Sequence, residues 1–447
     1  MSGVIANVAR NSEPGNADIL VVGAGPAGLA AATACLSRNA KVIVVDSGSP
    51  MDKRDHENHW QICSGVGGAG LFSDGKFSFF PSATHLWTLA DRESLAAGYA
   101  WLARAIGPFE VSAPPFPDRA SANSESADQG QDELFVKGYP SFHMPYERRV
   151  ALTRSLASPV RDSLVTDTDI KAIRFDPGTN RCVCTASTPA QSQFTRLTVR
   201  SVIFAGGRFG PVRWGTVFSD AATVYRRLEV GLRIQQAATD FFLKDDPRLD
   251  PKVLLRSSDP RYTWRTFCCC REGELMVTRC RGLTSVSGRG VGSKSGQSNI
   301  GFHVRISDEI MGTELWPDVL RTLRRLPQPA PRLELLSQFL AATVPDGPTE
   351  KSEQAEILGP RIAQLVAEGL VLLRRKYPSL HDTNACVIAP ALEGVSFYPD
   401  VSAHLRCGSL PLWVAGDATG LFRGLSAAMV SGYYAGIQAS DYLESQT

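Results

Sequence analysis

Residues 18–32, Asp-Ile-Leu-Val-Val-Gly-Ala-Gly-Pro-Ala-Gly-Leu-Ala-Ala-Ala, decide the fold of this 447-residue chain. The apolar run 19–22 predicts a buried parallel strand, and Gly-x-Gly-x-x-Gly at 23–28 opens an alanine-rich helix. A second apolar run at 41–46, Lys-Val-Ile-Val-Val-Asp, predicts another strand that ends in an acid. Strand, glycine turn, helix and acid stand in the order of a dinucleotide-binding βαβ unit.

Each residue of this unit has a physical task. Gly23 permits the tight turn out of the strand, and Gly25 lets a pyrophosphate approach the backbone N–H groups at the helix N-terminus. Gly28 allows the helix to pack close to the sheet, and Asp46 can accept hydrogen bonds from the hydroxyls of an adenosine ribose. The segment therefore predicts an α/β, Rossmann-like dinucleotide site rather than a purely structural βαβ unit.

Composition is that of a large globular enzyme. Hydrophobic residues make up 43% of the chain, and the net charge of +2 gives no reason to expect nucleic acid or an anionic membrane as partner. No apolar run reaches the roughly 18 residues that span a bilayer. Residues 1–16 resemble no signal peptide and predict a flexible tail, while ten cysteines indicate reduced thiols. The expected location is cytoplasmic.

A second glycine-rich stretch follows at 61–77, Gln-Ile-Cys-Ser-Gly-Val-Gly-Gly-Ala-Gly-Leu-Phe-Ser-Asp-Gly-Lys-Phe. Glycine at this density disfavours both a stable helix and a packed strand, and it suits a backbone that passes close to a ligand. Ser73, Asp74 and Lys76 follow at once and supply polar groups. A ligand contact is a better interpretation than an ordinary flexible loop.

Two later segments repeat one shape. Alternating strands between 164 and 199 predict a meander that ends in an apolar strand and Ala-Gly-Gly at 205–207. Far downstream, Leu-Trp-Val-Ala-Gly-Asp-Ala at 412–418 is again an apolar strand, a small turn and an acid. Arg-Gly-Leu-Ser-Ala-Ala-Met at 423–429 then opens a helix with small residues on one side.

Together these motifs resemble the FAD-binding fold of glutathione reductase and p-hydroxybenzoate hydroxylase. The resemblance implies FAD as cofactor, with Asp417 on the ribitol chain and the helix after Gly424 aimed at the pyrimidine end of the flavin. The implied cofactor-binding residues are Gly23, Gly25, Pro26, Ala27, Gly28, Asp46, Ser47, Gly67, Gly68, Ala69, Gly70, Ser73, Asp74, Gly75, Lys76, Ala205, Gly206, Gly207, Gly416, Asp417, Arg423, Gly424 and Leu425.

Residues 64–76 are also similar to the signature of a family of largely uncharacterised bacterial FAD-dependent dehydrogenases, distant relatives of geranylgeranyl reductases. The similarity continues through 228–234, 266–270, 390–395 and 416–424, which covers most of the chain. The chain departs from that family at two places, with Arg-Glu-Gly after Cys270 in place of Pro-Gly-Gly, and Gly-Arg-Phe-Gly at 207–210 in place of a polar run. The resemblance implies the fold and leaves the reaction open.

The resulting fold prediction is an α/β protein in which a Rossmann-like FAD-binding domain carries an inserted α+β substrate domain. The predicted parts are a tail at 1–16, FAD-binding segments at 17–80, 146–225 and 385–447, a helical and loop insertion at 81–145, and a substrate domain at 226–384. Gly288, Gly290 and Gly292 lie among Ser and Lys and predict a surface loop, so no second nucleotide-binding domain is expected. Either NADH or NADPH acts as a transient reductant of the flavin, or the substrate itself reduces it.

The catalytic residues are not identified by sequence, and the candidates are Lys76, Cys268, Cys270 and Arg423. Cys268 and Cys270 would share one face of a strand, but their spacing differs from Cys-x-x-Cys, which favours buried inert thiols over a redox pair. His56, His59 and Cys63 lack a second ligand pair, so no metal is expected. His303 on an apolar strand is interpreted as an ordinary strand residue.

These observations predict an FAD-dependent oxidoreductase that transfers a hydride between a small organic substrate and flavin N5. The first alternative is an NAD(P)H-dependent flavin monooxygenase. The resemblance implies that the hydroxylase branch usually has an Asp-Gly pair at the position where this chain has Gly206 and Gly207. This difference counts against an aromatic hydroxylase. The second alternative is a flavoprotein whose FAD is structural and which acts as a binding or assembly partner; the near-neutral charge argues against RNA as that partner. The substrate and the oligomeric state stay open.

Overall fold

A computed structural model describes residues 17–118, 133–188, 195–290, 294–325, 331–343, 351–381 and 384–446. The predicted tail at 1–16 lies outside these residues, as do residues 119–132 of the predicted insertion at 81–145 and Gly292. Within the described part of the chain, no helix combines the length and the apolarity needed to span a membrane.

The described residues contain nineteen strands and nine α-helices. The strands are β1 (Ile19–Val22), β2 (Val42–Val45), β3 (Lys76–Ser78), β4 (Leu134–Lys137), β5 (Ser141–His143), β6 (Leu164–Val165), β7 (Asp169–Asp176), β8 (Arg181–Ser187), β9 (Thr195–Val199), β10 (Ser201–Phe204), β11 (Thr223–Ala237), β12 (Lys252–Arg256), β13 (Tyr262–Cys270), β14 (Glu274–Cys280), β15 (Leu283–Arg289), β16 (Gln297–Ile306), β17 (Glu334–Leu335), β18 (Cys386–Pro399) and β19 (Leu412–Val414). The helices are α1 (Pro26–Ser37), α2 (Arg92–Ile106), α3 (Tyr146–Ala157), α4 (Trp214–Val217), α5 (Glu309–Arg325), α6 (Leu336–Thr343), α7 (Glu353–Leu358), α8 (Pro360–Lys376) and α9 (Leu425–Ser445).

The first sheet is parallel throughout, in the order β19-β10-β1-β2-β6. Its strands β1, β2 and β10 are buried at every position, which is why they consist of continuous apolar runs rather than alternating patterns. Helices α1, α2 and α9 cover one side of the sheet and the β7-β8-β9 meander packs on the other. This sheet is the predicted Rossmann-like layer, and it brings three chain-distant strands to adjacent positions.

The second sheet is antiparallel and contains seven strands, in the order β17-β18-β11-β16-β13-β12-β4. Even-numbered residues of its central strands are apolar and pack on helices α5 to α8, as Leu232, Phe302 and Trp264 do. Odd-numbered residues of the same strands are largely polar and face the first sheet, as Glu229 and Arg265 do. The alternation of period two therefore gives the sheet one apolar and one polar face, and both faces are buried.

The fold class is confirmed: a Rossmann-like parallel layer is combined with an α+β unit. The predicted strands between 164 and 205 are present in the described residues, as are the predicted strands that contain Cys268 and Cys270 and that contain His303. The predicted domain boundaries stay a prediction. Strands β4 and β18 lie outside the predicted substrate domain at 226–384, yet each pairs with a strand of that domain.

The interpretation of Gly288 as part of a surface loop is wrong. Gly288 lies in β15, and a Cβ there would stand 2.5 Å from Arg233 Nη2 and 2.6 Å from Cys270 Sγ. The strand was missed because its sequence, Leu-Thr-Ser-Val-Ser-Gly-Arg, lacks the apolar alternation expected of a half-buried strand. A β-hairpin with β14 supplies its hydrogen bonds, and the glycine leaves room for the charged side chain behind it.

Candidate functional site

The N-terminus of α1 has the features of an anion-binding site. Gly25 is its N-cap, Pro26 is its first residue, and no side chain caps the helix. The first turn contains no acidic residue. The free N–H groups and the positive end of the helix dipole are therefore available to a phosphate, as predicted for Gly25.

Helix α9 crosses α1 at very short range. A Cβ on Gly432 would lie 2.0 Å from the carbonyl oxygen of Ala27, and one on Gly436 would lie 2.4 Å from that of Ala31. Small residues at these positions are therefore obligatory. The N-cap of α9 is Gly424, with φ of +99° and no atom within 4 Å of an added Cβ, and no side chain caps this helix either.

The glycine-rich loop joins the two helix N-termini. A Cβ on Gly70 would stand 3.3 Å from Pro26 Cγ and 2.5 Å from Leu425 Cδ2. Gly68, with φ of +57°, lies against Gly25 in the same way. Three of the predicted cofactor motifs, separated by up to about 400 residues of sequence, thus meet at one place.

The remaining two motifs reach the same place. A Cβ on Gly23 would lie 2.5 Å from the carbonyl oxygen of Ala205, since β1 and β10 are neighbours. Gly416, at φ of +66°, approaches Ala27 on α1. All five predicted motifs therefore converge at the carboxyl edge of the parallel sheet, where ligands bind in folds of this kind.

Asp46 ties the loops of this region together. Its carboxylate accepts hydrogen bonds from the backbone N–H groups of Ala24 at 2.7 Å, Gly48 at 2.8 Å and Gly65 at 2.9 Å. A carboxylate has about four acceptor positions, so one stays available to a ribose hydroxyl. The predicted role of Asp46 in ribose binding is compatible with this geometry and stays a prediction, as does that of Ser47, which is exposed.

Arg54 is a residue that the sequence reasoning missed. Its buried guanidinium donates to four backbone carbonyls, those of Gln61, Ile62, Val66 and Gly68, at 2.7 to 3.2 Å. It therefore fixes the glycine-rich loop over α1. Arg54 stands in the charged run 52–57, which sequence alone cannot distinguish from a solvated surface segment.

The polar face of the second sheet lies opposite these motifs. At its centre is Glu229, fully buried, which pairs with Arg265 and with Arg227, the latter at 3.1 Å. Burial alone would raise the pKa of Glu229, but the adjacent guanidiniums hold it well below its usual value. Arg227 also donates to the carbonyl oxygen of Gly420, which links this face to the turn before α9.

A second carboxylate, Glu393 of β18, receives two arginines. Arg208, which follows the Ala-Gly-Gly turn, and Arg423, which precedes the N-cap of α9, both pair with it. Burial and the surrounding arginines lower the pKa of Arg423 well below its ordinary value. Asp417 is half-buried nearby, and its partial desolvation raises the pKa of its carboxyl.

Lys76 lies at the other end of the polar face. Its ammonium contacts Asp74 Oδ2 at 2.9 Å, Asp250 Oδ1 at 3.0 Å and the carbonyl oxygen of Cys269 at 3.2 Å. Burial opposes its charge, but Asp250 and Asp74 raise its pKa well above the ordinary value, so it is cationic. Lys76 therefore joins the glycine-rich segment to β13 and the substrate half of the molecule.

His303 does not behave as an ordinary strand residue. It is fully buried on the polar face, its ring lies 4.6 Å from that of Phe267, and neither ring nitrogen has a hydrogen-bond partner. Its Nδ1 lies 3.8 Å from Glu229 Oε1. Burial lowers its pKa to about 4, so the imidazole is neutral at pH 7.

His56 and His59, which were considered as metal ligands and rejected, make other contacts. His59 Nδ1 lies 2.6 Å from the carbonyl oxygen of Val277, and His56 lies 3.3 Å from Glu57. A different group of three potential ligands, Asp74, Cys268 and Cys270, has its ligand atoms within 4.8 Å of one another. The sequence spacing of these three gave no indication of such a group.

The comparisons with known proteins concern first the N-terminal unit. Residues 18–65 match the family model described as FAD binding domain. The chain carries an FAD-binding domain. No curated protein matches the chain.

Several solved structures are distantly similar to this chain. RebC-10x bound to K252c is 12% identical at a TM-score of 0.38, over 91% of this chain and 58% of its own. A flavoprotein/dehydrogenase from Cytophaga hutchinsonii is 14% identical at 0.40, over 96% and 79%. The Mycobacterium smegmatis Sdh1 complex is 14% identical at 0.43, over 96% and 68%. This chain therefore covers less than two thirds of the length of RebC-10x.

The residues of the converging motifs fit FAD. The hydroxyl of Ser426, in the first turn of α9, and Nε of Arg423 are buried without a hydrogen-bond partner. Such groups are rare in proteins and indicate a missing ligand. These two groups, the two uncapped helix N-termini and the glycines of the converging motifs form a set of hydrogen-bond donors. This set suits a pyrophosphate and the polar edge of a flavin. A cavity of about 390 Å³, lined by residues of β14, β15 and β18 among others, includes none of the predicted cofactor residues.

Proposed function

We propose that the protein is an FAD-dependent oxidoreductase that transfers a hydride between flavin and a small organic anion. One observation carries the proposal: a buried, arginine-rich sheet face lies opposite the two uncapped helix N-termini at which the cofactor motifs meet. Cofactor residues and substrate-side residues therefore share one interior surface.

On the cofactor side, the chain supplies positive potential. The pyrophosphate would lie at the N-terminus of α1, beside Gly25 and Gly68. The N-terminus of α9 and Arg423 would stabilise negative charge at the pyrimidine edge of the flavin. When bound, FAD supplies a two-electron acceptor and donor. Asp417 is half-buried near this edge and is the predicted ligand of the ribitol chain.

On the substrate side, cations outnumber anions. Arg208, Arg227, Arg265, Arg305 and Arg423 face three carboxylates among the described residues, those of Glu229, Glu393 and Asp417. Arg305 is largely buried, and burial together with Arg265 lowers its pKa to about 10. Excess buried guanidinium charge is costly unless an anion neutralises it, and guanidiniums bind carboxylates bidentately. A substrate that carries a carboxylate or similar anion meets this requirement.

The first experiment is an anaerobic visible spectrum of the FAD-reconstituted protein, before and after addition of NADH, NADPH or a candidate anionic donor. An oxidised-flavin band that a donor bleaches supports the proposal. Bleaching by a pyridine nucleotide followed by oxygen incorporation would indicate a monooxygenase instead. A flavin band that no donor bleaches, with a protein or RNA partner recovered stably, would favour a structural role for FAD.

A matched pair of variants tests the cofactor site. An added Cβ on Gly25 would contact only Gly68 Cα, at an ordinary 3.7 Å, so Gly25→Ala keeps the fold but narrows the approach of the pyrophosphate. Gly215→Ala is the control, because a Cβ there meets nothing within 4 Å. We expect at least about tenfold weaker FAD binding by Gly25→Ala alone, measured by flavin fluorescence titration. Equal affinity of the two variants would contradict the site.

A second pair tests the anion. Arg305→Gln removes one guanidinium from the polar face, and Arg361→Gln removes an exposed one that pairs only at 3.6 Å with Glu314. Once a donor is found, we expect Arg305→Gln to raise its KM by about tenfold, the value of one charge-assisted hydrogen bond. The flavin spectrum and FAD affinity should not change. An unchanged KM would place the anion elsewhere.

A further inference from the structure

Cys268 and Cys270 of β13 come together beside Lys76. Residues two apart in a regular strand share a face but lie about 6.6 Å apart along it. The Cys268 and Cys270 sulfurs lie 3.8 Å apart, and each lies 3.8 Å from Asp74 Oδ2. The cause is an irregular backbone. The pairing of β13 with β16 shifts between Phe267 and Cys270, and Cys268 has φ of +50°.

A left-handed backbone conformation is unfavourable for a non-glycine residue, and such strain concentrates at functional sites. Here the irregular backbone is accompanied by contact between the Cys268 and Cys270 thiols. Cys270 is buried and Cys268 is half-buried, so Cys268 is the more accessible residue of the two. This is the arrangement of an attacking thiol and a resolving thiol.

The surroundings favour one negative charge on this pair. The charged and titratable groups that face it are Asp74, Lys76, His143, Arg149, Arg233 and Asp250. Arg233 Nη2 lies 3.8 Å from Cys270 Sγ and donates to the Cys268 carbonyl at 2.8 Å. With Lys252 beside Asp250, the cluster has four cations (Lys76, Arg149, Arg233, Lys252) and two carboxylates (Asp74, Asp250) among the described residues. A thiolate reduces that imbalance.

We propose that Cys268 and Cys270 form a redox-active dithiol, in which Cys268 is the attacking thiolate and Cys270 the resolving thiol, and which reduces small disulfides. The Cys268 sulfur attacks one sulfur of the entering disulfide, whose S–S bond breaks and releases a thiolate. Cys270, losing its proton to that thiolate, then attacks Cys268 Sγ and releases the second half as a thiolate that takes a proton from solvent. One disulfide is reduced to two thiols, and the cysteine pair is oxidised by two electrons.

Two features of the site bear on the choice between a dithiol and a metal. The three ligand atoms Asp74 Oδ2, Cys268 Sγ and Cys270 Sγ could surround a divalent cation. However, the same Asp74 oxygen already contacts the Lys76 ammonium at 2.9 Å, and Arg233 stands on the other side of the sulfurs. Two fixed cations beside the sulfurs favour a thiolate and disfavour a third cation.

The test uses the reduced, FAD-reconstituted protein and oxidised glutathione as the probe disulfide, followed by intact mass and peptide mapping. We expect the wild type to lose two hydrogen atoms and to carry a Cys268–Cys270 disulfide without a lasting adduct. Cys270→Ser should instead trap one glutathione on Cys268, and Cys268→Ser should form neither product. Cys386→Ser, at another half-buried cysteine, is the control and should behave as the wild type.

Reactivity toward iodoacetamide gives a second readout that does not depend on the disulfide. Hydrogen bonding from Cys270 lowers the pKa of Cys268 to about 7, whereas burial raises that of Cys386. At pH 7 we expect Cys268 to be alkylated on the order of five- to tenfold faster than Cys386, with a rate that falls as pH decreases below 7. Cys270→Ala should reduce this advantage because it removes the S–H donor.

Three results would overturn the inference. The first is the absence of any mass change in the wild type, with Cys268 no more reactive than Cys386. The second is a glutathione adduct on other cysteines only. The third is one zinc ion per chain in metal analysis of the purified protein that is lost in Cys268→Ser, which would assign the three ligands to a metal. None of these outcomes depends on flavin turnover, so each is separate from a failure of the proposed function.

Discussion

Both faces of the seven-stranded sheet contain fully buried residues, but the two faces are built from opposite chemistry. On the even-numbered face, Leu232, Ile234 and Phe302 are fully inaccessible and pack against helices. On the odd-numbered face of the same strands, Glu229, Arg233 and His303 are also fully inaccessible. Neighbouring residues of one strand therefore occupy the same degree of burial with opposite polarity.

The difference separates folding from function. Apolar burial contributes roughly 25 cal/mol per Å² and explains why the helices stay on the even-numbered face. Burial of charge carries a desolvation cost that ion pairs only partly offset. A sheet gains nothing in stability from placing arginines and glutamates inside when leucines would pack there. The polar face is therefore best explained by the anionic substrate proposed above.

The largest effect is expected from breaking the ion-pair centre of the polar face. Glu229→Gln leaves Arg265 and Arg227 without their carboxylate, and removal of one partner of a buried pair costs about 3 to 5 kcal/mol. The free energy of unfolding from urea titration measures this loss. The double variant Glu229→Gln with Arg265→Gln should recover part of it, because it also removes an uncompensated charge. A double variant whose loss equals the sum of the single losses would show that the pair is not coupled.

A pH series sharpens the comparison at His303. Its pKa is about 4 in the folded protein against 6.5 in an unfolded chain, so the unfolded state binds the proton first as pH decreases. Stability from this group is present above pH 6.5 and is lost as pH falls toward 4, by about 3 kcal/mol at most. His303→Asn should lack this component of the pH dependence.

The measurement for His303 is the unfolding free energy at pH 7.5 and at pH 4.5 for both proteins. Subtraction of the variant from the wild type removes the contribution of carboxylates that titrate in the same range. Identical pH dependence in the two proteins would show that the imidazole is solvated in the folded state, and would remove it from the buried polar face.

The smallest effect compares two adjacent residues of β11. Ile234→Val, on the apolar face, should lower stability by about 0.5 to 1.5 kcal/mol and leave flavin reduction unchanged. Arg233→Lys, on the polar face, loses the fork that contacts Asn299 and the Cys268 carbonyl. We expect slower alkylation of Cys268 in the second variant only. Slower alkylation in both variants would mean that packing, and not charge, sets the reactivity of the thiol.

Sequence reasoning identified the motifs that form the parallel layer. The residues of 18–28, 64–76, 205–207 and 416–425 were predicted as one cofactor set, and the structure brings them to one edge of the sheet. They were predictable because a glycine that must approach backbone or ligand closely leaves a local signal. The individual contacts of these residues with FAD stay a prediction.

The substrate side was far less predictable. Glu229, Arg265, His303 and Glu393 are separated by up to 164 residues, and each looks ordinary in its own segment. Cys268 and Cys270 were interpreted as inert because their spacing differs from Cys-x-x-Cys. The bulge and the positive φ at Cys268 depend on how β13 pairs with β16, which no local pattern specifies.

The sequence by itself therefore determined the FAD-binding layer, since the glycine turn, the apolar parallel strands and the helix starts are local requirements of backbone geometry. Only the tertiary structure decided which charges share the buried face, which oxygen pairs with Lys76 and which two thiols meet. The physical reason is range. Backbone conformation is set by a few neighbouring residues, whereas the electrostatics of a buried site depends on strands that come together from distant parts of the chain.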